Sequence, residues 1–305
     1  MTHDGLLVID KPAGPTSHDV VQRVRRALGT RRVGHGGTLD PDATGVLLVA
    51  AGQATRFFPF LSKENKIYEG RIRLGFATDT YDASGRPTSE ECPVFPDRDG
   101  LSSAMKAFEG AILQTPPRYS AKKLGGRPVY KLARADEDFT LAPAAVTITR
   151  FVLRDYRPPD VDFEAECSTG TYIRSLAHDL GRSLGCGAHL ADLRRTSVGP
   201  YRLADAVPLA TLEEAAARGE AAPFILPLER LLPWAPAVIV RSDAEARVRN
   251  GCPLGPSDLV TPFPDFGRVD TREDVTRLLS DGGKLLALAR PAADGSSLRP
   301  FLVIT

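Results

Sequence analysis

The sequence predicts an α+β fold, in which a large first domain with a mostly antiparallel central sheet and flanking helices precedes a small, mostly β domain. Three observations predict it. Short apolar runs near the start of the chain indicate buried strands, alternating segments farther along indicate half-buried antiparallel strands, and apolar residues recur at helical spacing after polar turns. The 305 residues, 42% hydrophobic and 25% charged, have an ordinary globular composition and favour about two domains.

The first predicted elements are a strand, a helix and a second strand. Gly5–Ile9 is a short apolar run and predicts a buried strand. Ser17 is the expected N-cap of a helix with apolar residues at helical spacing, and Gly29 ends that helix. The glycine-rich stretch Gly34–Gly45 predicts a loop, and Val46–Ala50 predicts the next buried strand.

Two later segments have the alternation of half-buried strands. In Tyr68–Leu74 the pattern directs Tyr68 inward, and in Phe163–Cys167 it directs Glu164 outward. A turn then leads into a predicted helix over Thr171–Leu184, whose apolar stripe indicates one buried face.

A turn-rich segment, Leu232–Pro236, predicts the domain boundary. We therefore expect a first domain over residues 1–232 and a second over 237–305. The second domain is expected to be mostly β because it contains only short strand-like runs, at Val238–Arg241, Lys284–Arg290 and Pro300–Ile304.

Composition excludes several classes of protein. The four cysteines form no CxxC pair and lie near no histidine at zinc spacing, so buried thiols in a reducing compartment are favoured over a metal or redox site. The N-terminus lacks a signal peptide pattern, and no apolar run approaches the roughly 18 residues of a membrane span. A soluble, cytoplasmic protein without contact to a membrane is expected.

The charge is nearly balanced overall but unevenly distributed. The formal net charge is +1, yet residues 118–134 hold six basic residues and no acidic one. Residues 1–75 hold 11 basic against 7 acidic residues, and residues 235–305 hold 9 of each. Basic patches on a neutral protein suit a polyanion that contacts one face, although any single basic run is more commonly a solvated helix face.

The loop over Gly34–Gly45 contains a candidate reactive carboxylate, Asp40, directly before a proline. Taken alone, this Asp-Pro pair is more typical of a turn closed by the aspartate side chain. Phosphate binding is a weaker alternative, because the glycine spacing matches neither the GxGxxG pattern nor the P-loop.

Four stretches, in this order along the chain, resemble the pseudouridine synthases of the TruB type. They are VIDKPAGPTSHDVV, GHGGTLDPDATGVL, RYSAKKLGGRPVYKLAR and CSTGTYIRSLAHDLGRSLGCGAHLADLRR, within roughly residues 5–202. The resemblance implies that Asp40 is the catalytic nucleophile. The sequence departs from the family at Gly36, where threonine is usual, and at Asp42, where an apolar residue is usual.

The resemblance also implies roles for other residues. Arg174, of the GTYIR motif, would pair with Asp40, and Tyr68 would lie against the target base and take part in the chemistry. The substrate pocket would be lined by His35, Tyr68, Tyr172 and Leu193, and Lys11 would support the loop. Taken alone, His35 could also be a general base or a metal ligand, although no partner histidine or cysteine lies at metal spacing. The others have structural alternatives: a surface arginine, a core aromatic, an ordinary helix or core residue, or a Lys-Pro turn. The implied reaction transfers no electron and consumes no phosphate, so no cofactor and no metal is expected.

The implied substrate is the TΨC stem-loop of tRNA, whose uridine at position 55 would be flipped out and isomerised. An RNA-clamping insertion is expected near residues 116–143, with its basic residues Arg118, Lys122, Lys123, Arg127 and Lys131 on the RNA. Residues 237–305 resemble the PUA domains that follow such catalytic domains. Two rival hypotheses remain, a tRNA-folding chaperone without essential catalysis and a guide-RNA-dependent synthase. The chain ends without a basic tail, so no obligate protein partner is expected.

Overall fold

The computed structural model describes residues 3–304 apart from 121, 130–131, 133–134, 136, 138 and 267–273. Within this part, ten strands form one sheet with the order β12-β1-β3-β10-β4-β9-β8-β5, while β11 pairs with β10 and β2 with β3. The strands are β1 (Gly5–Lys11), β2 (Val33–His35), β3 (Thr44–Ala51), β4 (Lys66–Leu74), β5 (Gly110–Gln114), β8 (Ala144–Arg157), β9 (Asp160–Cys167), β10 (Ala188–Val198), β11 (Tyr201–Arg202) and β12 (Val207–Pro208). All pairings are antiparallel except β1 with β12 and β3 with β10. The mostly antiparallel central sheet predicted from the sequence is confirmed.

The described helices are α1 (Ser17–Ala27), α2 (Phe58–Leu61), α3 (Arg98–Lys106), α4 (Ile173–Ser183), α5 (Leu209–Ala217) and α6 (Glu245–Arg249). The N-cap prediction for α1 was wrong by one residue. Thr16, not Ser17, caps this helix through a reciprocal pair of hydrogen bonds with Asp19. Ser17 instead lies in the first turn with its hydroxyl directed at a neighbouring loop.

The apolar runs in β1 and β3 are continuous because both faces of these strands are covered. Leu7 and Ile9 belong to the core beneath α1 and α5, whereas Leu6 and Val8 belong to a second core that also contains Leu288. Burial on both faces removes the need for polar residues at alternate positions.

The C-terminal strands form their own sheet, in the order β13 (Ala237–Ile239), β14 (Thr276–Leu279), β15 (Leu285–Pro291) and β16 (Leu298–Val303). This confirms the prediction of a small, mostly β C-terminal unit. It packs on the preceding part of the chain: Arg56 donates to the carbonyl of Val303, and Arg277 donates to the carbonyls of Ala235 and Glu229 at 3.0 Å each.

One predicted exposure was wrong. Glu164 in β9 was expected to face solvent, but it is buried, and its carboxylate pairs with Arg150 and Arg154 of β8. The two long arginine side chains cover the carboxylate, which a pattern of alternation alone does not predict.

The four cysteines are free thiols, and Cys167 and Cys186 are buried. Among the described residues there is no cluster of metal-binding side chains and no helix long and apolar enough to cross a membrane. A short hairpin, β6 (Lys123–Leu124) with β7 (Arg127–Pro128), lies in the basic segment.

Candidate active site

Asp40 lies in the turn that joins β2 to β3. Two glycines with positive φ lie on either side of it, Gly37 at +118° and Gly45 at +97°. At Gly45 a Cβ atom would lie 2.2 Å from the carbonyl oxygen of Arg195, where β3 runs beside β10. Only glycine therefore allows the sheet to close directly beneath the loop.

Three side chains from neighbouring elements form hydrogen bonds with the backbone of this loop. Lys11 Nζ donates to two of its carbonyls at 2.7 and 2.8 Å, and the Ser17 hydroxyl bonds to the backbone of Leu39 at 2.9 Å. Arg195, which is 1% exposed, donates to two further loop carbonyls at 3.2 and 3.4 Å. The backbone is thereby fixed on both sides of Asp40, and only the family resemblance had pointed to Lys11.

Replacement of Lys11 by methionine should destabilise the fold by about 3 kcal/mol, because the carbonyls of Pro12, Pro41 and Ala43 lose their buried donor. Burial already lowers the pKa of Lys11 to about 8, which reflects the desolvation that these three bonds offset. Urea unfolding followed by circular dichroism measures the loss. Lys106→Met, at the exposed end of α3, is the matched control, and equal stability of the two variants would contradict the role of Lys11.

Arg174 forms an ion pair with Asp40 from the first turn of α4. Its Nε lies 3.0 Å from one carboxylate oxygen of Asp40, and its Nη2 lies 3.3 Å from the other. The remaining donors contact Asp82 Oδ2 at 3.3 Å and the carbonyls of Thr80 and Tyr119 at 3.2 and 2.9 Å. The guanidinium is therefore fully engaged and buried, so the alternative of a solvated surface arginine is wrong.

The start of α4 is positioned by the end of β5. The buried side chain of Gln114 accepts from the backbone N–H of Tyr172 at 2.7 Å and donates to the Tyr172 carbonyl at 3.1 Å. Ser175 adds a bond to the carbonyl of Thr115 at 2.8 Å. The predicted helix over Thr171–Leu184 begins two residues later than expected because this double bond holds Tyr172 extended.

Asp82 is a residue of this site that sequence reasoning missed. Its Oδ1 accepts from the Thr80 hydroxyl at 2.6 Å and from the Ser84 hydroxyl and backbone N–H at 2.6 and 3.0 Å, which directs Oδ2 at Arg174. Tyr81, between Thr80 and Asp82, adopts a left-handed conformation with φ of 65°. Its ring stacks on that of His178 with 3.9 Å between the ring centres. In the sequence, Asp82 stands in a polar segment with a second aspartate, Asp79, before Gly85. Such a composition is typical of any surface turn, so it did not single out Asp82.

The electrostatics of Asp40 are set by opposing influences. Burial raises the pKa of this carboxyl above its ordinary value, and the negative charges of Asp82 and Asp42 act in the same direction. Arg174 and Lys11 oppose them. Because Arg174 is shared between two carboxylates, its charge does not offset the burial of Asp40 completely.

Two adjoining cavities, both lined by Asp40 and Arg174, form a cleft around this ion pair. A cavity of about 800 Å³ on one side is lined by His35, Asp82 and Leu193, and a cavity of about 370 Å³ on the other is lined by Tyr68, Tyr172 and Leu193. The structure thus brings together, around these two cavities, the predicted nucleophile, its arginine and the residues predicted to line the uridine pocket.

The aromatic and imidazole groups of the cleft are held in their neutral forms. Burial raises the pKa of Tyr68 and of Tyr172 and lowers the pKa of His35. The Arg195 guanidinium lies 6.0 Å from the centre of the Tyr68 ring. Each group therefore offers an uncharged surface to a ligand at neutral pH.

The departure from the family at Gly36 has a local cause. A Cβ atom there would lie 3.1 Å from the Phe58 ring, so this ring occupies the space that a threonine side chain needs. Asp42, the other departure, is exposed in the mouth of the cleft.

The basic residues expected on RNA are only partly gathered at the cleft. Lys122 lines the smaller cavity, whereas the Arg118 guanidinium stacks on Phe139 at 5.1 Å. Arg127 is exposed and pairs with Glu137 at 2.8 Å, so part of its charge is already balanced by an acidic residue beyond the basic run. The backbone of Lys123 lies in β6, and Lys131 lies outside the described residues.

Comparison with known proteins decides the family. Residues 25–173 match the family model for the TruB family pseudouridylate synthase N-terminal domain, and residues 174–233 match that for the tRNA pseudouridylate synthase B C-terminal domain. The tRNA pseudouridine synthase B of Syntrophobacter fumaroxidans is 42% identical over 299 residues, covering 98% of this chain and 97% of the relative. The corresponding protein of Thermotoga maritima is 41% identical over 300 residues, covering 96% and 92%. The chain belongs to the TruB family. It is thereby an isomerase among the tRNA pseudouridine synthases, as the motifs predicted.

Solved structures support the same fold. A chain of an H/ACA RNP bound to a substrate RNA containing 2′-deoxyuridine superposes with a TM-score of 0.75 at 26% identity, covering 99% of this chain and 86% of its own. A chain of the archaeal box H/ACA sRNP Nop10-Cbf5 complex superposes with a TM-score of 0.73 at 27% identity, covering 99% and 86%. The α+β fold with its small C-terminal sheet is therefore shared with these two chains.

Proposed function

We propose that this chain isomerises the uridine at position 55 in the TΨC loop of tRNA to pseudouridine in the cytoplasm, without a cofactor and without an obligate protein partner. The observation that carries the proposal is the ion pair between Asp40 and Arg174 in a cleft lined by Tyr68, Tyr172, His35 and Leu193. Family membership supports the reaction, and the ion pair with Arg174 in this cleft supports Asp40 as the nucleophile.

The steps follow from what the cleft holds. The target uridine leaves its stack and enters the cleft, where the Tyr68 ring offers a stacking surface worth about 1–3 kcal/mol. The Asp40 carboxylate then attacks either C1′ or C6 of the uridine. The N1–C1′ bond breaks, the detached uracil turns within the cleft, and C5 bonds to C1′. The bond between Asp40 and the nucleotide breaks in the same sequence, which returns Asp40 to its free carboxylate form. Loss of the C5 proton, which a solvent proton at N1 balances, leaves an isomer of the starting nucleotide.

Each remaining residue has a physical task in this scheme. Arg174 holds the carboxylate in position and favours its charged form, and Asp82 orients Arg174. Lys11 and Arg195 fix the loop backbone, which keeps Asp40 at a constant distance from the substrate. Lys122 at the edge of the smaller cavity, with Arg118, Lys123, Arg127 and Lys131 of the basic segment, would contact RNA phosphates.

We further infer that residues 1–232 form the catalytic domain, with the RNA-clamping insertion near 116–143. Residues 237–305 would form a PUA-like RNA-binding domain. The four-stranded sheet with its own apolar core supports this division. Stand-alone action is supported by the identity of 42% to a tRNA synthase against 26% to the H/ACA RNP chain.

The test uses purified protein, an unmodified tRNA transcript and no other component. Pseudouridine is mapped by carbodiimide-dependent reverse-transcription stops. A single new stop at the TΨC-loop uridine is expected. No stop from a folded protein that binds tRNA would favour a chaperone, and a stop that requires added partners or a guide RNA would favour the ribonucleoprotein class.

The reaction rate should fall as the pH drops through the raised pKa of Asp40, because the protonated carboxyl is not a nucleophile. Asp42→Asn removes a neighbouring negative charge, lowers the pKa of Asp40, and should shift this acid limb by about a few tenths of a pH unit to lower pH. Single-turnover rates between pH 4 and pH 8 measure the limb. Glu90→Gln is the control, because Glu90 is exposed and is not among the charges that act on Asp40. An acid limb that does not move in Asp42→Asn, or moves equally in both variants, contradicts this prediction.

A further inference from the structure

A second cavity, of about 460 Å³, lies where α2 and the turn after it meet the C-terminal sheet. It shares no lining residue with the cleft around Asp40. Its walls come from α2 and the turn after it, from the connector before β13 and from β15, and they include Phe60, Lys63, Glu64, Asn65, Trp234 and Arg290.

Trp234 is half exposed in this cavity, at 50% of its full surface. Its Nε1–H donates to Glu64 Oε1 at 2.7 Å, which fixes the ring while leaving much of its surface open to solvent. A fixed, open indole is a surface suited to stacking against another flat ring.

Arg290 carries a charge that no acceptor balances within the described part of the chain. Its guanidinium lies 4.4 Å from the centre of the Phe301 ring, and its buried Nε has no hydrogen-bond partner there. Phe301 in turn packs against Phe60 at a ring distance of 6.0 Å. The arginine is thus held at the cavity wall by an aromatic contact, and no carboxylate of the described residues forms an ion pair with it.

The cavity therefore combines aromatic surface with positive charge. Lys63 and Arg290 are the cationic residues of its wall and outnumber the one carboxylate of that described wall, Glu64, which also accepts a hydrogen bond from Trp234. A flat ring that carries a phosphate satisfies both features, whereas a purely apolar ligand leaves Arg290 without an acceptor.

We propose that this cavity binds an unpaired nucleotide of the tRNA substrate outside the TΨC stem-loop, with its base on Trp234 and its phosphate on Arg290. The proposal rests on the proposed function, because it takes tRNA as the ligand. Its role is to add affinity for whole tRNA at a place remote from the reacting uridine.

Trp234 is the one tryptophan of the chain, so intrinsic tryptophan fluorescence reports on this cavity alone. Full-length tRNA transcript should quench it saturably, and an isolated TΨC stem-loop should not. Trp234→Ala should raise the Kd for full-length tRNA about five- to tenfold. Arg290→Gln should also raise the Kd for full-length tRNA. It should reduce the slope of log affinity against log salt concentration by about one, the amount expected for one lost phosphate contact. Neither variant should change the Kd or the rate with the stem-loop.

Arg241→Gln is the matched control, since Arg241 is exposed, pairs with Asp243 and is not among the residues of the cavity wall. Isomerisation of the stem-loop by each variant shows that it is folded. Equal affinity of wild type, Trp234→Ala and Arg290→Gln for full-length tRNA overturns the proposal, and so does quenching by the stem-loop alone. Failure of the wild type to isomerise the stem-loop overturns the proposed function instead, which separates the two results.

Discussion

Asp40→Asn should abolish pseudouridine formation, with a fall of at least about 10⁴-fold in the single-turnover rate. The amide has nearly the shape of the carboxylate but cannot form the covalent bond. The fold should be unaffected, because Arg174 retains Asp82 and two backbone carbonyls as partners. Affinity for tRNA should stay within about threefold of wild type, since the binding surfaces are unchanged.

The rate is measured on tRNA in the presence of excess protein, by nuclease digestion and chromatography of the nucleosides. Binding is measured by filter retention. Asp42→Asn is the matched control, because it removes a carboxylate two residues away and leaves the nucleophile in place. A rate for Asp40→Asn within about tenfold of wild type would assign the nucleophile to another group.

Arg174→Lys should lower the single-turnover rate by about 10²- to 10³-fold, although the charge is retained. The arginine reaches Asp40, Asp82 and two carbonyls from one planar group, with contacts of 2.9–3.3 Å. An ammonium group has its three donors at one point and cannot span both carboxylates. Asp40 then loses its fixed position and Asp82 loses its partner.

Arg174→Gln separates the effect of charge from that of geometry. Without the guanidinium, burial and Asp82 raise the pKa of Asp40 further, so the acid limb should move to higher pH and part of the loss should be recovered as the pH rises. Arg182→Lys on the exposed side of α4 is the control, because Arg182 contacts only Asp179 of its own helix among the described ion pairs. Loss of activity that does not depend on pH in Arg174→Gln would show that Arg174 acts through structure alone.

Much of the fold followed from the sequence because burial determines pattern. The continuous apolar runs of β1 and β3 predicted strands covered on both faces, and the alternation in β4 predicted the inward side of Tyr68. The bulges in β10 between Leu190 and Asp192 and between Arg195 and Ser197 interrupt that strand's alternation, so periodicity could not assign its faces.

The site was predicted only in part, for a physical reason. The resemblance implied roles for Asp40 and Arg174. It implied none for Asp82, Ser17 and Arg195, whose roles depend on contacts between segments far apart in the chain. Arg195 is buried, and no pattern of charges indicates that an arginine enters a core to bind loop carbonyls. Glu164 shows the same limit, since partners on the neighbouring strand cover it.

The central claim is that this chain alone, through Asp40, exchanges the N1 bond of a tRNA uridine for a C5 bond. Release of tritium from tRNA labelled at C5 of uridine tests it most directly, with purified protein, excess chelator and no other macromolecule. The expected result is release of one tritium per tRNA by wild type and by Asp42→Asn, with none from Asp40→Asn. Equal release by Asp40→Asn, or no release by a folded wild type that binds tRNA, would contradict the account.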